Sequence, residues 1–514
     1  MTEAPSAQQS AAVSPPVPGG LRLYLAAFLI FLVTYGATAQ TGPAWQDSGI
    51  FQWRVLHFDV VGSDRLGLAL SHPLVIVLGK AFSFIPFGPL PWRMNLVSAV
   101  CAAAAVANVT LLVRRLVPKV PLAAWIGGGM FGLAHTVWWL GTICESQAAH
   151  AALFTACLHV LVSLDRAPRT HLVLLLGLLN GLALTAHNLA LLALPAWGLM
   201  VVYLCVRGRL PWRSVAAMAG GWVIGASAFL ALVIHAIPRE GLVGAVHSAL
   251  FGRSWRQDVL VGSARAFKMG ALCVAYNFPN LAVPLAAAGS WLLRKRLSGP
   301  LAWALGYLVL VYLLFAIRYS VADQFMFFLP FYAMVSVLAG LGLGWLCEGR
   351  RARPLLLVAA AMALLTPVIY ALAPLAWRTF HLPLPGRTDL PRDAARYWLV
   401  PWKLGEDSAG RFARAALREA PSGGTIIADS TSYYPLVWVR ETESIGAGVR
   451  VLLPGEATAQ AVPAGAPDVF VVSNVEGYHP EWLDRVAALH RDDKAGQVLF
   501  RVTWREGPAT GGEQ

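Results

Sequence analysis

The chain has 514 residues, of which 57% are hydrophobic and 13% charged, and its mean hydropathy is +0.59. A soluble globular chain is about 45–50% apolar and about 25% charged, so a single water-soluble domain, a disordered chain and a collagen-like chain are excluded. The net charge of +13 is uneven: residues 1–374 hold 25 Lys/Arg against 10 Asp/Glu, whereas residues 375–514 hold 15 against 17. The basic excess falls between apolar runs, where the positive-inside rule puts it, which argues against a nucleic-acid partner. The cysteines (Cys101, Cys144, Cys157, Cys205, Cys273 and Cys347) lie in or beside apolar runs and form no disulfide framework, zinc knuckle or CxxC pair.

Residues 1–20 are rich in Ala, Ser, Pro and Gln and read as a disordered cytoplasmic tail. An apolar run at 23–38 ends in Ala37-Thr38-Ala39, which resembles a signal-peptidase site. No Lys or Arg precedes Arg22, so the run reads as an uncleaved first membrane helix. Further spans are predicted at 92–113, 121–141, 146–164, 171–187, 189–206, 213–237, 269–293, 300–317, 325–346 and 355–374. Each approaches the ~20 apolar residues needed to cross the hydrocarbon. The fold class expected is thus a polytopic α-helical membrane domain of about 11 helices over 21–377. Residues 378–514 are water-soluble in composition. A helix at 408–420 and strands at Thr425-Ile426-Ile427-Ala428, 449–453, 468–472 and 498–502 suggest a small extracytoplasmic α/β domain.

Alternate loops carry Arg114/Arg115/Lys119, Arg166/Arg169, Arg207/Arg209/Arg213, Arg294/Lys295/Arg296 and Arg350/Arg351/Arg353. These 14 basic residues face only Asp165 and Glu348, which makes that side cytoplasmic. The N-terminus is then inside and the C-terminal domain outside. The opposite loops hold Asp47, Asp59, Asp64, His72, Glu145, His187, Asp323 and a segment at 238–268. Ionisable groups gathered at one mouth suit an enzyme acting on an external substrate, whereas a transporter tends to place them near the midplane.

Several residues at that mouth are chemical candidates. Asp47, in Trp45-Gln46-Asp47-Ser48-Gly49, offers a carboxylate for general-base work or for a divalent cation (Mg or Mn); Asp and Ser equally suit a helix cap. His72-Pro73 opens an apolar stretch at 73–87, too short and Pro-broken for a span; it reads as re-entrant or interfacial. Arg93 and Asn95, in Trp92-Arg93-Met94-Asn95, are placed to grip a lipid phosphate or to anchor the helix at the interface. Glu145, at the membrane mouth, is a functional candidate by its setting, and a solvated turn is the plainer alternative. His187 breaks a long apolar run, and Asp323 precedes the helix that starts at Phe327-Phe328. The segment 238–268 breaks the charge rule with Arg239, Arg253, Arg256, Arg265 and Lys268 against Glu240 and Asp258; a phosphate-bearing ligand or anionic headgroups would hold it outside.

Taken together, Asp47-Ser48-Gly49, His72-Pro73-Leu74, Trp92-Arg93-Met94-Asn95-Leu96-Val97-Ser98, Trp138/Trp139 with Glu145, and Gly181-Leu182-Ala183-Leu184-Thr185-Ala186-His187-Asn188 give the stretch 41–198 a family likeness. It resembles the membrane core of the protein O-mannosyltransferase-like family, within the GT-C superfamily of polytopic glycosyltransferases. A weaker likeness covers 323–330 and 416–429. The chain departs from the family pattern at Ile50, where an acidic residue is common, and at Leu74-Val75-Ile76-Val77, where Pro and Gly lead to a Tyr-Pro.

The resemblance implies a polyprenyl-phosphate sugar donor, a protein or glycan acceptor hydroxyl, Asp47 as catalytic base and inversion at the anomeric carbon. It gives Glu145 an acceptor-side role, with His72, Arg93, Arg253 and Arg256 on the phosphate side. Membrane lipids are the surroundings; the compact length and single outer domain point to a bacterial inner membrane with a periplasmic C-terminal domain, and an endoplasmic-reticulum membrane gives the equivalent topology. A transporter or flippase for a lipid-linked glycan is the rival reading, and a non-catalytic outer-face assembly factor a third.

Overall fold

The computed structural model describes residues 19–62, 66–253, 262–321, 323–349, 352–381, 390–491 and 497–505. Helix α1 (Gly20–Thr38) leads to the short α2 (Gln46–His57) and α3 (Pro73–Ser83). At 12 and 11 residues, α2 and α3 are too short to cross a bilayer. Then follow α4 (Leu90–Leu116), α5 (Pro121–Gly132), α6 (His135–Leu140), α7 (Ser146–Arg166), α8 (Thr170–Ala186) and α9 (Leu194–Val206). The second half of the membrane part is α10 (Arg213–Phe251), α11 (Ala264–Asn277), α12 (Ala282–Arg296), α13 (Gly299–Arg318), α14 (Gln324–Phe327), α15 (Leu329–Leu346) and α16 (Arg353–Thr379).

Among the described residues, eight helices are long and apolar enough to span a membrane, or nine if a bent pair is one span. The protein is a multi-pass membrane protein. The difference from eleven has local causes. The span expected at 121–141 is broken between α5 and α6, and α8 is only 17 residues long. The run expected at 269–293 is two helices, α11 and α12, meeting at 100°; Pro279, which cannot donate a helical hydrogen bond, lies between them. The segment from 238 is not a loop at its start: α10 runs on to Phe251 through a kink at Gly241 (φ 70°) beside Pro238.

Helices pack closely where side chains are smallest. A Cβ at Gly177 would stand 2.2 Å from the Met218 carbonyl, and one at Gly181 2.2 Å from that of Trp222. Gly221 and Gly225 repeat the spacing on α10, so two small-residue faces bring α8 and α10 into backbone contact. The core helix α15 is buried along nearly its whole length.

The basic loops gather at one end of the bundle. Arg166 donates to the Arg115 carbonyl (3.1 Å) and Arg209 to that of Asp165 (2.9 Å). Ser298 Oγ donates to the Asp165 carboxylate, and Arg296 pairs with Glu348 at 2.9 Å. At the other end the first turn of α2 meets the start of α7, and Arg54 in the last turn of α2 holds the residues that lead into α3.

Beyond α16 come α17 (Ala394–Leu399), α18 (Ser408–Glu419), β1 (Thr425–Ile427), α19 (Tyr433–Glu443), β2 (Arg450–Leu452), β3 (Val469–Val471), α20 (Glu481–Val486), β4 (Ala487–His490) and β5 (Phe500–Trp504). The strands form one sheet in the order β2-β1-β3-β5-β4. β1 runs parallel to β2 and β3, and β5 antiparallel to β3 and β4. Strand β1 is wholly buried, as its unbroken apolar run requires.

Candidate active site

Helix α2 presents Asp47 in its first turn, where the positive end of the helix dipole favours a carboxylate. Its neighbours fix it from several sides. Gln46 takes a left-handed conformation (φ 58°), and its N–H donates to the Thr431 carbonyl of the C-terminal domain at 3.2 Å. Gly49 packs so tightly that a Cβ would stand 2.4 Å from the Ala44 carbonyl and 3.2 Å from Tyr434 Cβ. That explains the glycine in Asp47-Ser48-Gly49: any larger residue would push α2 away from its loop.

Ser48 Oγ donates to Glu145 Oε1 at 2.9 Å. Glu145 is 3% exposed and held at its backbone by Ser98: its N–H donates to Ser98 Oγ (3.0 Å), which donates back to its carbonyl (3.2 Å). Burial pushes the Glu145 carboxyl well up, and Asp47 and Asp323 nearby add like-charge repulsion. Burial likewise pushes Asp47 up, and burial with Asp47 beside it pushes Asp323 up to about 7. The Asp47 side chain is nevertheless open to solvent. Both hold for a carboxylate that protein atoms surround and water still reaches. Asp47, Glu145 and Asp323 thus share one electrostatic site, although α2, the α7 start and the α13–α15 connection supply them.

His72 and His187 stack at 5.2 Å between ring centroids, and His150 lies 6.3 Å from His187. Burial, with His187 and Arg54 nearby, pushes His72 well down, so it is a neutral ring at neutral pH. Its backbone is left-handed (φ 45°), the second such non-glycine beside this site. Conformations of that kind cost about 1–3 kcal/mol and persist where the surroundings enforce them. Arg54 supplies the enforcement: its guanidinium donates to the carbonyls of Asp59 (3.0 Å), Leu70 (2.9 Å) and Ser71 (2.6 Å).

Asn95 lies at the base of the Asp47 loop: its Nδ2 donates to the Gln40 carbonyl (2.7 Å) and its Oδ1 accepts from Gln52 Nε2 (3.2 Å). Gln52 Oε1 in turn accepts from the Ala44 N–H at 2.9 Å. Arg93 is engaged in structure, donating to the Ser83 and Ile85 carbonyls at 2.7 Å each, where it closes the end of α3. Arg253 pairs with Glu240 at 2.9 Å, and its N–H donates to the Leu66 carbonyl at 3.1 Å, which ties it to the loop after α2. Arg256 lies outside the described residues, as does Asp64.

A strap at 390–403 contributes groups that the sequence did not single out. Lys403 is 2% exposed; its Nζ donates to the carbonyls of Tyr397 (2.6 Å) and Val400 (3.4 Å) and sits 3.3 Å from the Trp139 ring centroid. Trp398 stacks on Trp139 at 5.5 Å, and the Arg392 guanidinium lies 3.9 Å over Tyr397. Tyr397, pushed up to about 12 mainly by burial, feels Arg392 on one side and Glu145 on the other. Among the described residues, no three His, Cys, Asp or Glu side chains form a group that could hold a metal ion. The three carboxylates share a field without ligand geometry.

The fold is also that of solved membrane enzymes. The structure of ArnT from Cupriavidus metallidurans bound to undecaprenyl phosphate superposes with a TM-score of 0.60 at 14% identity, covering 97% of this chain and 100% of that one. Its apo structure gives 0.58 at 16% identity, covering 94% and 98%. The chain shares the fold of these structures. Residues 69–208 match the model of the family described as Protein O-mannosyl-transferase TMEM260 N-terminal domain. The resemblance read from the sequence is borne out over that stretch, which holds His72, Arg93, Asn95, Glu145 and His187. No curated protein matches.

Proposed function

We propose that this protein is a membrane glycosyltransferase that moves a hexose, with mannose the first candidate, from a polyprenyl-phosphate-linked donor to an acceptor hydroxyl. The acceptor is a protein or an envelope glycan, the face is extracytoplasmic and the transfer inverts the anomeric carbon. The observation that carries the reading is the convergence of Asp47, Glu145 and Asp323, with Ser48 of the Asp47 helix bonded to Glu145. The lipid phosphate named in the ArnT structure supports the donor class, and the family match at 69–208 supports hexosyl transfer.

In this mechanism Asp47 accepts the proton of the acceptor hydroxyl. The hydroxyl oxygen bonds to the anomeric carbon as the bond from that carbon to the phosphate oxygen breaks, and the electron pair leaves with the polyprenyl phosphate. A carboxylate raised above its ordinary range is a better base near neutral pH than an unperturbed one. Glu145, buried and accepting from Ser48, keeps α2 in register. Neutral His72 is a hydrogen-bonding partner for the leaving phosphate. No step runs through a cation.

The test is Asp47→Asn in purified protein supplied with a polyprenyl-phosphate hexose. Loss of at least ~100-fold in transfer, with unchanged thermal stability, is expected for a general base. Undiminished transfer sinks the proposed role. Movement of labelled lipid across a vesicle without a new glycosidic product would favour the transporter.

A further inference from the structure

A second site lies at the membrane face opposite Asp47. Ser98, which bonds Glu145, and Leu116, at the end of α4, are 18 residues apart on one helix, about 27 Å along its axis. Beyond Leu116, the α4–α5 connection meets the end of α15 and the start of α16. They enclose a recess of about 490 Å³ lined by Lys119, Leu122, Cys347, Glu348, Arg353 and Leu357, with their neighbours.

The walls are fixed in place. Arg114 donates to the Pro118 carbonyl (2.7 Å), and the Cys347 thiol donates to the Ala352 carbonyl (3.1 Å). A Cβ at Gly344 would stand 2.4 Å from Val117, so α15 is seated directly on the loop that carries Lys119. The charge is unbalanced. Glu348 is already paired with Arg296 at 2.9 Å. Lys119 and Arg353 form no ion pair among the described residues, and both are exposed. Two further features add to the positive field: α5 and α16 both begin at the recess, and neither has a side-chain cap on its first turn. Apolar surface leads away from the cations towards the lipid, with Leu122 42% and Leu357 70% exposed.

We propose that this recess binds the headgroup of an anionic diacyl phospholipid. Its phosphodiester lies between Lys119 and Arg353, and its acyl chains run along Leu122 and Leu357. The chemistry is that of basic pockets between membrane helices. The site stands whether or not the transferase reading does.

The experiment uses the full chain in nanodiscs of phosphatidylcholine doped with phosphatidylglycerol, with native mass spectrometry counting the lipids retained. The wild-type protein is expected to retain phosphatidylglycerol in preference to phosphatidylcholine. The double variant Lys119→Gln/Arg353→Gln is expected to lose that preference by roughly 30-fold, about a factor of five per cation. The control Arg207→Gln/Arg294→Gln removes two charges from the same face outside the recess and is expected to keep it. If the double variant does not fold, each single change carries the test with about a fivefold loss. No preference in the wild type, an unchanged preference in the variants, or an equal loss in the control overturns the site; the last outcome means a diffuse basic surface.

Discussion

Ser48 and Glu145, 97 residues apart in the chain, meet in a buried hydrogen bond of 2.9 Å that fastens the helix of Asp47 to the start of α7. The bond serves two purposes. It holds Asp47 at a fixed depth, and it tempers the rise that burial imposes on the Glu145 carboxyl. Ser48→Ala removes both. A buried acceptor that loses its donor costs about 1–3 kcal/mol, so thermal melting is expected to fall by that amount. Transfer rates are expected to fall at every pH, since Asp47 is no longer held at a fixed depth. Melting curves and initial rates from pH 5 to about 9 check both together, and unchanged rates would show that Glu145 does not couple to transfer.

Asn95 acts at one remove. It touches Gln40 and Gln52, which frame the loop carrying Asp47, and not Asp47 itself. Asn95→Ala is therefore expected to lower kcat by roughly 10–100-fold, as misplacement of a catalytic group does, while KM for the donor changes by less than about threefold. Asn95→Asp, which keeps the acceptor oxygen but loses the Nδ2 donor to the Gln40 carbonyl, is expected to fall between. A pure rise in KM would instead make Asn95 a donor contact.

The buried cation of the strap makes a separate prediction. Lys403 Nζ satisfies the Tyr397 and Val400 carbonyls and lies on the Trp139 ring, and its N–H donates to the Thr38 carbonyl at 2.8 Å. Burial lowers its pKa well below the usual lysine range. Lys403→Met keeps the length and the apolar contact with Trp139 but removes the charge and donors. A loss of about 1–3 kcal/mol is expected, because the carbonyls are left unpaired. Limited proteolysis within 390–403 is expected to quicken in the variant. Wild-type cleavage rates would show that the strap is held by its aromatic stacking alone.

The chain disclosed these parts unequally, and the reasons are physical. Carboxylates and histidines stand out in a hydrophobic sequence, so Asp47, His72, Glu145, His187 and Asp323 were visible as polar interruptions of apolar runs. Their common location follows from counting spans with the basic loops as a compass. What partners each residue takes was not visible. Arg93 and Arg253 look like phosphate ligands from composition, yet Arg93 closes α3 and Arg253 meets Glu240 across the Gly241 kink. Arg54 drew no notice because its three carbonyl partners belong to an irregular loop without periodicity. The strap at 390–403 was counted with the soluble region 378–514, although its clustered Tyr397, Trp398 and Trp402 signalled an aromatic contact surface. The break between α11 and α12 had a readable sign in Pro279, which the continuous hydrophobicity of 269–293 outweighed.

The last prediction concerns Asp323. Its carboxyl is pushed up to about 7 from an ordinary value of 3.8, first by burial and then by Asp47. Between those two values the native state binds a proton that the unfolded state releases. Stability from this group is therefore greatest at or below about pH 4 and is lost as pH rises through about 7. Asp323→Asn carries no charge at any pH and removes that slope. Its melting temperature is expected to fall less than that of the wild type between pH 4 and about 7, and to exceed the wild type above about pH 7. Melting curves across that interval separate the two proteins, and parallel curves would place Asp323 outside the field of Asp47.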